Sequence, residues 1–203
     1  MAAITLKTPR LTLRRPERAD ASRIALLVGD WKVASMLASV PWPYTLDDAR
    51  SWLAACRFGL VEHGHEIFAI AIPGEGLIGV VGLHVREEGV ELGYWLGEPY
   101  WGRGLASEAA KAVVDYGFAV FDLPAIRAGH FEENAASARV LGKLGFRYLD
   151  EAPRAKACRA RGSEVPERAM ELTQAEWRGR LRGARAGTPS EDGMRVLLPL
   201  ADG

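Results

Sequence analysis

Apolar residues recur at every second position in Phe68, Ile70 and Ile72 and again from Val90 to Leu96, the spacing of a strand with one buried face. Between them Pro73-Gly74-Glu75-Gly76 reads as a turn and Leu77 to Leu83 as the returning strand, so this stretch predicts a hairpin. After Gly104 the period changes. Ala106, Ala109, Ala110, Val113, Val114, Gly117 and Phe118 fall on one side of a helix reaching about Val120, with Glu108, Lys111 and Asp115 left for solvent. Asp122-Leu123-Pro124 stops that helix, Ala125 to Gly129 is a brief strand, and Asn134 to Leu144 is another helix with Gly145 at its C-cap. Strand, helix and strand in this order make a crossover, which puts two parallel neighbours inside a sheet otherwise built of hairpins. The class is α+β, or mixed α/β.

The flanks extend the same pattern. Leu11 to Arg14 is a short strand stopped by Pro16, Asp20 caps a helix to about Val28, and a second helical piece covers Trp31 to Ala38. Thr45 with Asp48 forms a capping box for a helix from Leu46 to about Glu62. Phe146 to Leu149 returns as a strand, Ala152 to Val165 lacks periodicity and reads as a loop, Ala169 to Thr173 is the last strand, and Gln174 to Leu181 is a short helix. A length of 203 residues with 48% hydrophobic content suits one domain, over residues 8–181, followed by a tail over residues 182–203. The apolar patch Met194 to Leu200 in that tail needs cover, from the chain's own core or from a second subunit, so monomer and homodimer both stay open.

Lys plus Arg balances Asp plus Glu at 26 each, so the net field attracts neither nucleic acid nor an anionic membrane. The basic residues between Arg154 and Arg185 are spread out and read as a solvated face. No run approaches the roughly 18 apolar residues of a membrane span, and the first ten residues lack a signal-peptide core. Cys56 and Cys158 share no metal-ligand spacing, and His63, His65, His84 and His130 offer no placed third ligand, so no metal is expected. These features describe a soluble, cytoplasmic protein. Trp31 and Trp52 read as core residues, whereas Pro41-Trp42-Pro43 with Tyr44 reads as a stiff exposed loop that closes over a substrate.

The chemistry centres on Tyr100-Trp101-Gly102-Arg103-Gly104-Leu105-Ala106-Ser107, between the strand and the small-residue helix. Gly102 and Gly104 can take positive φ, turning successive N–H groups toward one guest, and the helix adds the positive end of its dipole. Phosphate suits such a cradle. A dinucleotide-binding fold would also place Gly102 and Gly104 here, but Ser107 stands where its third glycine belongs.

Glu91-Leu92-Gly93-Tyr94-Trp95-Leu96, the turn Trp101 to Ala106, Asn134-Ala135-Ala136-Ser137 and Leu144-Gly145-Phe146 together resemble the GNAT superfamily of acyl-CoA N-acyltransferases. The Thr8-Pro9-Arg10-Leu11-Thr12-Leu13-Arg14 start and the closing Glu171-Leu172-Thr173 with Glu176-Trp177 resemble the branch that contains ribosomal-protein-alanine N-acetyltransferases. The resemblance implies a central, mostly antiparallel sheet with two splayed parallel strands, flanked by helices. It implies acetyl-CoA as co-substrate, its pyrophosphate on the N–H groups of Gly102, Arg103, Gly104, Leu105, Ala106 and Ser107. The pantetheine arm would lie along Trp95, Leu96 and Gly97, with Asn134 on the opposite wall. Many members carry a proton-donating Tyr where this chain has Leu141, and Ser137 is the replacement that the branch suggests. Glu91 would act as base for the acceptor amine, directly or through water. Plainer roles stand beside these: Glu91 as a strand-end acid, Ser137 bonding to backbone, Asn134 as a helix cap, and Glu132 and Glu133 as either amine-attracting or merely solvated acids. The acceptor would be a small-molecule or peptide amine, possibilities including a protein N-terminus. A non-catalytic acyl-CoA-binding sensor or interaction module is the alternative.

Overall fold

The computed structural model of the chain describes residues 4–56, 58–149, 152–187 and 195–197. In chain order the elements are β1 (Thr5–Lys7), β2 (Thr12–Arg14), α1 (Ala21–Val28), α2 (Trp31–Ala34), α3 (Leu46–Ala55), α4 (Leu60–His63), β3 (His65–Ile72), β4 (Gly76–Arg86) and β5 (Gly89–Leu96). There follow α5 (Leu105–Phe121), β6 (Ala125–Phe131), α6 (Ala135–Leu144), β7 (Arg147–Tyr148), β8 (Arg154–Cys158), β9 (Ser163–Thr173), α7 (Gln174–Gly187) and β10 (Arg195–Leu197). The strands form one mixed sheet in the order β10-β1-β2-β3-β4-β5-β6-β9-β7, with β8 also on β9. Among these pairings β5 with β6 is parallel and the others are antiparallel. That parallel pair spans only Val90 with Ile126 and Glu91 with Arg127, after which the two strands separate.

Strand register sorts the side chains onto two faces, since directly opposed residues point the same way. Phe68, Val81 and Tyr94 share one face, as do Leu83, Leu92 and Ile126 with their partners. The small-residue helix α5 lies on this face: Tyr116 meets Phe68 edge-on at 5.9 Å between ring centroids. A Cβ at Gly117 would fall 2.7 Å from Leu83 Cδ1 and 3.2 Å from Ile126 Cδ1, so glycine is what allows the close approach. The opposite face carries His84, Gly82, Glu91, Gly93, Arg127 and Gly129. Trp177 of α7 stacks on Phe118 at 5.1 Å and donates to Asp115 Oδ1 at 2.8 Å.

Several sequence expectations need correcting. Residues 154–158 and 163–165 are paired strand in the β8–β9 hairpin rather than loop, Lys156 opposing Val165 and Cys158 opposing Ser163. The hairpin docks through Arg159 N–H to the Ala38 carbonyl at 3.0 Å and Arg161 Nε to the Ser35 carbonyl at 2.8 Å. The helix expected from Leu46 to Glu62 is two, α3 and α4, broken before Gly59, whose φ of +118° no α-helix accommodates. Asp20 does not cap α1 with its side chain; its carboxylate accepts from the Glu17 N–H and from both Arg14 Nη atoms at 2.8 Å. Trp31 is not a core residue: it is 45% exposed and packs edge-on against the equally exposed Trp42. α7 continues to Gly187, and the centre of the apolar tail patch, β10, pairs with the β1 edge. Among the described residues no helix is long and apolar enough to cross a membrane, and no three His, Cys, Asp or Glu residues gather as metal ligands.

Candidate active site

The cradle is formed by backbone. Gly102 and Gly104 have φ of +72° and +77°, and Gly104 caps α5 with no side chain covering its N-terminus. The helix's hydrogen bonding begins with Glu108 N–H to the Gly104 carbonyl at 3.1 Å, so the N–H groups of Leu105, Ala106 and Ser107 precede the ladder. A Cβ at Gly102 would meet nothing within 4 Å, which leaves room for a ligand to reach the main chain. The Arg103 guanidinium lies 5.9 Å from the Tyr100 ring centroid. A diphosphate therefore finds both space and N–H donors here.

Two residues at the chain's start, not singled out for the site from sequence, hold this turn. Arg10 Nη1 donates to the Arg103 carbonyl at 2.9 Å, and its Nε donates to Glu108 Oε2 at 2.6 Å. Thr8 Oγ1 and the Arg10 N–H both donate to Glu108 Oε1, at 2.6 and 2.9 Å. Glu108 is consequently not a solvent-facing acid. Although burial opposes it, the donation from Thr8 and Arg10 holds its carboxyl below the usual range. Asp115 likewise bonds Lys111 and Trp177 instead of facing water alone.

From the turn the open cleft runs along β5. Gly97 N–H donates to the Ile78 carbonyl and its own carbonyl accepts from Tyr100, so the Gly97 backbone is engaged within the fold. Alternation then directs the Trp95 and Gly93 backbone groups toward β4 and those of Leu96, Tyr94 and Leu92 toward β6. Of the three expected arm contacts, the geometry puts only Leu96 N–H on the cleft edge, joined there by Tyr94; the Leu96 carbonyl accepts from Trp101 Nε1 at 2.8 Å. Across the cleft, Asn134 caps α6 by accepting from Ser137 N–H at 3.0 Å. Ser137 Oγ stands 2.8 Å from Tyr94 Oη, bridging α6 to β5. Burial pushes the Tyr94 hydroxyl up to about 12, so it keeps its proton at neutral pH. Leu141 is fully buried in the core.

On the other face Glu91 ends the paired part of β5 and β6 and is bound by Arg86 Nε at 3.2 Å. Its cross-strand neighbour His84 shares an Nδ1 to Nδ1 hydrogen bond of 3.1 Å with His65, and burial lowers His84 to about 4, leaving it neutral. Glu133 pairs with Arg161 and Glu132 lies 3.8 Å from Arg168. The Trp42 indole donates to the Gly29 carbonyl at 3.2 Å, and burial pushes Tyr44 up to about 12.

A family model described as an acetyltransferase (GNAT) domain matches residues 10–147, the stretch that contains the cradle, the splayed strands and α6. The chain belongs to the GNAT acetyltransferase family. It is 34% identical over 146 residues to the uncharacterized N-acetyltransferase p20 of Bacillus licheniformis, covering 70% of this chain and 82% of that one. It is 27% identical over 155 residues to the ribosomal protein uS5-alanine N-acetyltransferase of Escherichia coli K12, covering 70% of this chain and 78% of that one. Among solved structures, the microcin C7 self-immunity acetyltransferase in complex with acetyl-CoA and AMP shares the fold with a TM-score of 0.70 at 17% identity, over 81% of this chain and 93% of that one. The protein is thus a GNAT-type acyltransferase enzyme, and its mixed sheet, with β5 and β6 as the parallel pair among the described residues, is that fold.

Proposed function

We propose that the protein transfers an acetyl group from acetyl-CoA to a primary amine, by direct attack while both are bound. The observation that carries this reading is the early parting of β5 and β6 after Glu91 and Arg127, which opens a slot through the sheet between the α5 cradle and the Tyr94–Ser137 pair. Acetyl-CoA supplies the acyl thioester. Gly102 to Ser107 hold its diphosphate with main-chain N–H groups, Leu96 and Tyr94 offer the strand edge to its peptide-like arm, and Asn134 flanks it. Trp95 and Gly97 shape that edge from the β4 side.

Acid–base chemistry falls on the two faces of the slot. An α-amine has a pKa near ~8 and a lysine near ~10.4, so the acceptor arrives mostly as ammonium and must lose a proton before it attacks. Glu91 is the carboxylate that draws the ammonium to the face remote from α5, where that proton is given up. The oxyanion that develops is met by the Leu96 N–H on the cleft edge. Ser137 donates to the departing sulfur, backed by the Tyr94 hydroxyl. A protein N-terminal amine is the acceptor class that the E. coli relative's name supports.

The test is a thiol-release screen with acetyl-CoA and an alanyl peptide, a lysyl peptide, spermidine and glucosamine, with mass spectrometry of the product. Acetylated amine with stoichiometric free thiol is expected. CoA binding with no turnover of any amine would leave only an acyl-CoA-binding module.

A further inference from the structure

Just past the last paired rung, Gly93 and Gly129 face each other across the parting strands, and neither puts a side chain over the slot. Its border on the face remote from α5 is made by neighbours. A Cβ at Gly93 would lie 3.6 Å from His84 Nε2, while a Cβ at Gly129 would lie 2.7 Å from Glu167 Oε1. Glu167 belongs to β9, opposes Phe131 of β6, and leans diagonally so that its carboxylate covers the Gly129 Cα. We propose that Glu167 is a further catalytic residue: it receives the proton of the acceptor ammonium at this opening, while Glu91, held by Arg86, contributes charge. The inference rests on the amine-acetylation reading above and names a group that the sequence did not single out.

The surroundings of Glu167 suit this role. Lys156 Nζ of β8 lies 3.6 Å away, and the side chain is 19% exposed, so it is neither locked in a close ion pair nor freely solvated. Arg154, its opposite on β8, is directed to Glu88 at 2.8 Å. Burial raises its carboxyl, Glu91 adds to the rise, and Lys156 and His130 oppose it. A carboxylate raised toward neutrality is a better proton acceptor at pH 7 than an ordinary one. Glu91 has an arginine as its direct partner, at 3.2 Å. His84 on the other border is neutral and adds no repulsion toward an ammonium.

The step balances. The ammonium gives one proton to Glu167, its lone pair forms the C–N bond, the C–S electron pair leaves on sulfur, and the second nitrogen proton ends on the thiol through Ser137. Glu167 then returns its proton to solvent, so acetyl-CoA and ammonium give amide, free CoA and one proton.

The experiment measures kcat/KM against pH for the full chain and for Glu167→Gln, Glu167→Asp and Glu91→Gln. The acceptor is whichever amine of the panel above turns over fastest, run beside acetohydrazide, which is already neutral at pH 7. Glu167→Gln is expected to lose about 100-fold at pH 7 with the ammonium acceptor, most of it regained by pH 9, with a small loss toward the hydrazide and partial rescue in Glu167→Asp. CoA affinity by calorimetry should match the unsubstituted protein, which checks the fold. A pH-independent loss equal for both acceptors, or a profile matching the unsubstituted protein, overturns the role of Glu167 alone. No turnover of any amine by the unsubstituted protein overturns the amine reading and this inference with it.

Discussion

Glu108 ties the first strands to the cofactor turn, and its removal is a quantitative test of how the cradle is held. Its carboxylate accepts from Thr8 Oγ1, from the Arg10 N–H and from Arg10 Nε, with the side chain only 15% exposed. Hydrogen bonds to a charged group contribute about 1.5–3 kcal/mol each when little exposed. The Arg10 guanidinium is half exposed, so screening reduces its ion pair to about 0.5 kcal/mol. Allowing for incomplete additivity and the better helix propensity of alanine, Glu108→Ala should cost about 3 kcal/mol, or about 6–12 °C in Tm for a chain of this length. Glu108→Gln, which keeps an acceptor oxygen, should lose about 1 kcal/mol. The folded carboxyl is depressed, so its contribution is complete above the ordinary Glu value of about 4.3 and disappears as pH falls through the lower folded value. Urea unfolding at pH 7 and pH 3 measures both quantities. A Glu108→Ala midpoint within about 0.5 kcal/mol of the unsubstituted protein at pH 7, with unchanged slope, would refute the tie.

Further outcomes follow from other sites. Gly104→Ala at a φ of +77° should cost about 1–2 kcal/mol in stability, and its methyl would lie 3.5 Å from Arg10 Nη2 beside the bond that holds the turn, so calorimetry should show weaker CoA binding; unchanged affinity would remove Gly104 from the phosphate site. Glu66 is 2% exposed with Oε1 unpartnered, and burial raises its carboxyl, so stability should fall as pH rises from about 4.3 through the folded value; Glu66→Gln should flatten that slope in urea titrations from pH 4 to 8. Ser137→Ala should lower kcat by about 100-fold and Tyr94→Phe by less, with CoA affinity nearly constant; a rise in KM alone would make Ser137 a binding residue.

Local signals made much of the fold legible. The capping box of Thr45 with Asp48, the Asn134 cap and the glycine turn each depend on residues a few positions apart, and each forms. Missed features depend on distant partners. Glu108 sits at a solvent-facing position by helical period, and only folding brings Thr8 and Arg10 to it. The β8–β9 hairpin was hidden because its inward residues are Lys156, Cys158 and Val165, a mixed set whose cover comes from Phe131 and Ala38 far along the chain. The break before α4 had a local cue in Gly59, but apolar Phe58 and Leu60 carried the helical pattern through it.

The same distinction separates the site candidates that short spacing brings forward from Glu167, which it does not. Ser137 and Asn134 lie on one helix turn, and the cradle lies within one strand-to-helix junction, so short spacing exposes both. The opening on the far face is a product of register: Gly93 clears it from β5, Gly129 from β6, His84 borders it from β4 and Glu167 from β9. Because side chains alternate between faces, a one-residue slip of β9 against β6 would carry Glu167 to the α5 side and leave the amine facing bare backbone. The long β6–β9 ladder, from Ala125 with Thr173 to Phe131 with Glu167, fixes that register, so the extended pairing has a consequence for chemistry as well as for stability.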